Sequence, residues 1–113
     1  MKKEFRLSKN WDFEKIINKK QYLANDFLII YYQKSPDCQI GITIPKKFED
    51  SVGRNFYKRQ LKAILRELNI FNLKFHLVII ARKKFCDSLY LVKKAATQKL
   101  FEKLRNYEKN TKF

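Results

Sequence analysis

Apolar residues recur along this chain with two periods, and the switches between them mark out six elements. From Asn10 to about Lys20 the spacing is helical: Phe13, Ile16 and Ile17 make one stripe, Lys15, Lys19 and Lys20 leave the other side cationic, and Asn10 supplies an N-cap. Phe27-Leu28-Ile29-Ile30-Tyr31-Tyr32 is apolar at every position. That is the pattern of a strand covered on both faces, or covered on one and functional on the other. Ser35-Pro36-Asp37 is a turn signal. Beyond it, Gln39-Ile40-Gly41-Ile42-Thr43-Ile44 alternates, with isoleucines toward a core and Gln39, Gly41 and Thr43 outward. The short turn predicts that these two strands pair as a hairpin.

Pro45-Lys46-Lys47 ends the second strand, and Asp50 or Ser51 caps a helix that runs to about Leu68. At about 100° per residue, Tyr57, Leu61, Ile64, Leu65 and Leu68 share roughly 100° of arc. Arg54, Lys58, Arg59, Lys62 and Arg66, with Asn55 among them, occupy the adjoining sector, and Phe56 falls outside the apolar stripe. Phe75 to Ala81 reads as a buried strand, followed by the basic segment Arg82-Lys83-Lys84. A last helix is predicted from about Ser88 to Tyr107, capped by Asp87 or Ser88, with Leu89, Val92, Ala96, Leu100 and Tyr107 buried. Residues 108–113 are expected to fray. The order helix-strand-strand-helix-strand-helix predicts an α+β two-layer sandwich around a small mixed sheet, one domain spanning residues 1–113.

Composition narrows the function. Lys and Arg total 26 against 11 Asp and Glu, a formal net charge of +15. Such an excess repels itself in the folded state, and an anionic partner is the simplest reason to retain it. Part of the lysine excess fits codon bias in an A/T-rich genome, so clustered cations count for more than the total. The cluster in the basic helix carries one sign, although like charges four apart repel. Nucleic acid is therefore the leading partner, ahead of an anionic membrane surface. The longest apolar run, Phe27 to Tyr32, is far too short to span a bilayer, and no apolar signal follows Met1-Lys2-Lys3-Glu4. The cytoplasm is the expected location, with no membrane partner and no obligate protein partner.

Candidate chemistry is sparse. Cys38 and Cys86 lack CxxC partners and read as ordinary reduced cysteines, and His76 is the only histidine. Glu49-Asp50 reads as solvated capping carboxylates rather than a cation site. No catalytic residue and no protein-held metal are expected. Phe13, Tyr31 and Tyr32 leave two readings open. Successive strand residues alternate, so one tyrosine of the pair faces away from whatever packs on the other; the aromatics are then either core or a platform for unpaired bases.

In order and spacing these residues resemble the protein subunit of bacterial ribonuclease P. The resemblance rests on Ile44-Pro45-Lys46-Lys47, then Ser51-Val52-Gly53-Arg54-Asn55-Phe56-Tyr57-Lys58-Arg59, which is similar to that family's Arg-Asn-Arg-x-x-Lys-Arg run. It extends to Phe5-Arg6-Leu7-Ser8-Lys9 with Asp12-Phe13, to Tyr31, and to Val78-Ile79-Ile80-Ala81-Arg82. It implies a subunit that binds ribonuclease P RNA and precursor tRNA, while that RNA removes the 5′ leader with Mg2+ that the RNA mainly holds. No organic cofactor is implied. It places RNA contact on Lys46, Lys47, Arg54, Asn55, Lys58, Arg59 and Lys62, and leader contact on Phe13, Ile17 and Tyr31. It also implies a left-handed crossover through the basic helix, against the general handedness rule. Phe56 stands where the family has arginine: either a neighbour such as Arg59 compensates, or Phe56 stacks on RNA. Ile17 stands where an aromatic is common. The alternatives are a ribosomal or other structural RNA-binding protein, and behind it a DNA binder with its basic helix in a major groove.

Overall fold

The strand buried most completely, Phe75–Ala81, sits inside the sheet, and the rest of the fold follows from covering it. The computed structural model describes residues 10–110, with side chains over 13–108. In chain order the elements are α1 (Asn10–Asn18), β1 (Tyr22–Ala24), β2 (Leu28–Lys34), β3 (Gln39–Thr43), α2 (Ser51–Glu67), a 3₁₀ turn (Ile70–Asn72), β4 (Phe75–Ala81), α3 (Lys83–Asp87) and α4 (Tyr90–Asn110). The sheet order is β1-β2-β4-β3. β1 and β4 each run antiparallel to β2, and β3 runs parallel to β4.

The expected hairpin between the second and third strands does not form, because β4 lies between them. The connection at 35–38 instead spans two strand spacings, roughly 10 Å, across the start of β4. There the Ser35 amide donates to the Lys74 carbonyl at 3.1 Å. The Ser35 hydroxyl and the Asp37 carboxylate each lie 2.8 Å from His76 Nε2. The turn residues were read correctly; the strand they lead to skips one place.

Strand alternation gives the sheet two unlike faces. Leu28, Ile30 and Tyr32 of β2, Phe75, Leu77, Ile79 and Ala81 of β4, and Ile40 and Ile42 of β3 face one way. They pack on Leu61, Ile64 and Leu65 of α2, Phe85 of α3, and Leu100, Phe101 and Leu104 of α4. Each fully buried Leu, Ile or Phe there contributes about 1.5–3 kcal/mol relative to exposure. On the opposite face, Tyr31, Val78 and Ile80 pack with Phe13, Ile16 and Ile17 of α1.

The C-terminal region departs most from expectation. Arg82–Lys84 opens the short helix α3, and Ser88, with extended backbone, separates it from α4. Leu89 and Val92 are exposed, and Tyr107 is 40% exposed, where burial was predicted. The buried stripe of α4 is Lys93, Thr97, Leu100, Phe101 and Leu104. Helix α4 also runs past the predicted fraying point to Asn110, and the Glu108 carboxylate accepts from the Lys74 amide at 3.0 Å.

Candidate nucleic-acid interface

Helix α2 starts where its sequence says it should. The Asp50 carboxylate accepts from the Gly53 amide at 2.8 Å, capping the first turn. Leu61, Ile64 and Leu65 are buried against the sheet, which turns Asn55, Arg59 and Arg66 to solvent and leaves Lys58 and Lys62 partly covered. Lys46 and Lys47 are exposed in the segment before it, the Lys47 ammonium 5.3 Å from the Phe48 ring centroid. Lys58, Arg59 and Lys62 have no carboxylate partner among the described residues. Glu67, the one acid at this helix's end, turns away toward α4. It pairs with Lys94 and accepts from Tyr90, and the Lys94 hydrogen bond first, then the tyrosine's, hold its carboxyl below the usual range. Beyond the capping carboxylates Glu49 and Asp50 at its start, the helix surface is thus left to its cations.

Arg54 is half-sunk at the helix start, and its buried Nε has no acceptor among the described residues. An orphaned buried donor costs about 1–3 kcal/mol. The basic run of α3 is more nearly balanced. Lys83 pairs with Asp87 at 3.3 Å, Lys84 with Asp26 at 3.6 Å, and Arg82 donates to the Asn25 carbonyl at 3.1 Å.

The second candidate surface is the sheet face under α1. Phe13, Ile17 and Tyr31 come together around Ile16 and Val78. Gly41 of β3 is what admits Phe13, since a Cβ there would collide with its ring. Tyr31 is the tyrosine that faces this surface. Tyr32 points into the core, edge-on to Phe75 at 5.7 Å and 84°. Burial, with Tyr107 beside it, raises the Tyr32 phenol. Sequence reasoning missed Tyr22: it lies directly across from Tyr31 in β1, ring centroids 5.5 Å apart, and is 54% exposed. The signal was present in Asn25-Asp26. The Asn25 side chain accepts from the Phe27 and Leu28 amides and turns a three-residue strand back along β2.

Other chemistry is quiet. Burial pushes the Cys38 thiol up to about 11 and raises that of Cys86, so neither is poised as a nucleophile. Among the described residues no three His, Cys, Asp or Glu side chains converge as a metal site, and no helix is long and apolar enough to cross a membrane. An apolar groove of about 650 Å³, lined by Phe27, Leu91, Val92 and Leu100, lies apart from both surfaces.

A cationic helix surface and an aromatic sheet face on one small α+β scaffold are the features of a nucleic-acid-binding protein. The sequence model of the family described as Ribonuclease P matches residues 1–105. The ribonuclease P protein component of Mycoplasmopsis synoviae is 42% identical over 112 residues, 99% of this chain and 100% of that protein. That of Mycoplasmopsis pulmonis is 46% identical, covering 94% of this chain and 96% of its own. The RNase P protein of Staphylococcus aureus superposes with a TM-score of 0.78 at 25% identity, over 87% of this chain and 93% of that one. The chain belongs to the ribonuclease P protein family, whose members are subunits of an endoribonuclease that processes tRNA.

Proposed function

We propose that this chain, working as one RNA-binding unit in the cytoplasm, docks on ribonuclease P RNA through α2 and receives the 5′ leader of precursor tRNA on the sheet face under α1. Lys46, Lys47, Arg54, Asn55, Lys58, Arg59 and Lys62 make the RNA contact. Phe13, Ile17 and Tyr31, joined by Tyr22, make the leader contact. The observation that carries the reading is the absence of carboxylate partners for Lys58, Arg59 and Lys62 among the described residues, while Glu67 is drawn off to Lys94.

The chain's own side chains bind and orient; they break no bond. Hydrolysis of the phosphodiester is assigned to the RNA and the magnesium that the RNA mainly holds, as the family membership implies. The cationic helix supplies positive field where two RNA segments approach, which lowers the magnesium needed for activity. The aromatic face supplies contacts that a precursor makes and a mature tRNA does not. Apolar and stacking contact tolerates varied leader sequences.

Reconstitution with the cognate ribonuclease P RNA at low magnesium tests this. Leader cleavage should be stimulated by the wild-type chain and lost with Arg54→Ala plus Arg59→Ala. Absence of stimulation by the folded wild-type chain would sink the proposal.

A further inference from the structure

Phe56 is the one residue of the basic run whose chemistry contradicts its neighbours. It lies on the solvent side of α2 and is 52% exposed, so its ring is open to a partner. At about 100° per residue, Val52 lies about 40° from it around the helix and Arg59 about 60°. Val52 is 76% exposed, so the two make a small open apolar surface at the helix start. Cations and Asn55 occupy the sector beyond Arg59; of the nearby acids, Asp50 caps the helix start, Glu49 lies over Gly53, and Glu67 is held by Lys94. The surface is too small for a protein interface core and is bordered by positive charge.

The ring is also held in place from behind. Phe56 meets Tyr57 edge to face, with centroids 5.1 Å apart and planes at 81°. The Tyr57 ring lies 5.0 Å from the ammonium of Lys93, which is itself buried and hydrogen-bonded to Gln60 Oε1 at 2.7 Å. A buried cation, a tyrosine and a phenylalanine therefore form one stack running outward from the core. An aromatic ring pre-positioned in this way loses little freedom on binding a second ring.

We propose that Phe56 is a stacking platform for one unpaired base of the catalytic RNA, whose adjoining phosphate is gripped by Arg59. This rests on the RNA-docking role of α2 proposed above. It also specifies what that helix reads: a single-stranded nucleotide rather than duplex backbone alone, because only an unstacked base offers its face to a side chain. The ring takes the place of a phosphate contact, so this protein should draw less of its affinity from charge than a helix with arginine at the same position.

Equilibrium binding of the full chain to cognate ribonuclease P RNA, titrated across a potassium chloride series, separates the possibilities. Phe56→Leu keeps the apolar bulk and removes the ring; it should weaken binding about 5- to 150-fold, the usual range for one stacked base, with an unchanged salt slope. Phe56→Trp should bind at least as tightly as wild type. Phe56→Arg should steepen the slope by roughly one phosphate's worth, 0.7–0.9, without restoring wild-type affinity at high salt. Circular dichroism checks that each variant is folded, as an exposed position should allow. Wild-type affinity in Phe56→Leu, or tighter binding than wild type by Phe56→Arg at every salt concentration, overturns the stacking role. Failure of the wild-type chain to prefer this RNA over an unrelated structured RNA overturns the docking role beneath it, which is a different result.

Discussion

Lys93 is a lysine in a position where the chain buries almost everything apolar. Its residue is 1% exposed, its ammonium lies 4.4 Å from the Phe85 ring centroid and 5.0 Å from that of Tyr57, and no carboxylate among the described residues is paired with it. Burial pushes its pKa below the usual lysine value of 10.5. The charged form is therefore held at a cost that the Gln60 hydrogen bond and two cation–π contacts offset only in part. Lys93→Met should stay within about 1 kcal/mol of wild type in urea denaturation at pH 7, because the stem's packing survives. Lys93→Ala should lose about 2–5 kcal/mol, the usual cost of emptying such a site. The sign with pH follows from the lowered value. Between the folded pKa and 10.5 the unfolded chain binds more protons, so wild type should gain stability relative to Lys93→Met as pH rises through that window. A stability difference that stays flat from pH 7 to pH 10 would show that Lys93 titrates normally.

At the scale of elements, the same residue explains what the sequence concealed. The apolar stripe predicted for the last helix ran through Leu89, Val92, Ala96, Leu100 and Tyr107; Leu100 is buried and Ala96 packs on the core, but the buried stripe starts at Lys93 and Thr97. Both are polar residues with satisfied polar atoms, the Thr97 hydroxyl donating to the Lys93 carbonyl at 2.8 Å, so a search for apolar periodicity follows the wrong side. Helix α2 was legible throughout because its cap, apolar stripe and cations all point to one arrangement. Strand β1 was missed for its length of three residues, and the β2–β3 pairing failed because pairing depends on β4, which lies far along the chain. Of the candidate sheet-face surface, Phe13 and Tyr31 stood out as residues and Ile17 through the family resemblance, while Tyr22 emerged only from the register of β1 on β2. Two tests belong here. Asp50→Ala should cost about 1 kcal/mol more than Asp50→Asn, which keeps a capping oxygen, as read from melting curves. Equal melting temperatures would remove the cap from the account. Gly41→Ala should cost about 1–3 kcal/mol by forcing Phe13 off the sheet, and nothing in a Phe13→Ala background. Additive losses in that double-mutant cycle would mean the two residues do not meet.

For the whole molecule, the question is why two surfaces of different chemistry share one small sheet. A net charge of +15 draws any RNA, so charge alone cannot distinguish a precursor from its product. In the proposed reading, the apolar aromatic face adds discrimination that salt does not screen, because stacking and burial depend little on ionic strength. The main core separates these surfaces: α2 packs on one face of the sheet and α1 on the other. Substitutions should therefore sort into two groups with little cross-effect, as distant sites do. If Lys46, Lys47, Arg54, Lys58, Arg59 and Lys62 each neutralise one phosphate, holoenzyme assembly should show a log–log salt slope of roughly −4 to −5. Lys58→Ala and Arg59→Ala should each flatten it by roughly 0.7–0.9 while leaving the preference for precursor over mature tRNA intact. Tyr31→Ala or Tyr22→Ala should do the reverse, cutting that preference about 5-fold or more at an unchanged slope. Measuring both quantities for all four variants decides the matter: a tyrosine variant that flattens the slope, or a cationic variant that erases the preference, would mean that docking and leader recognition are one surface and not two.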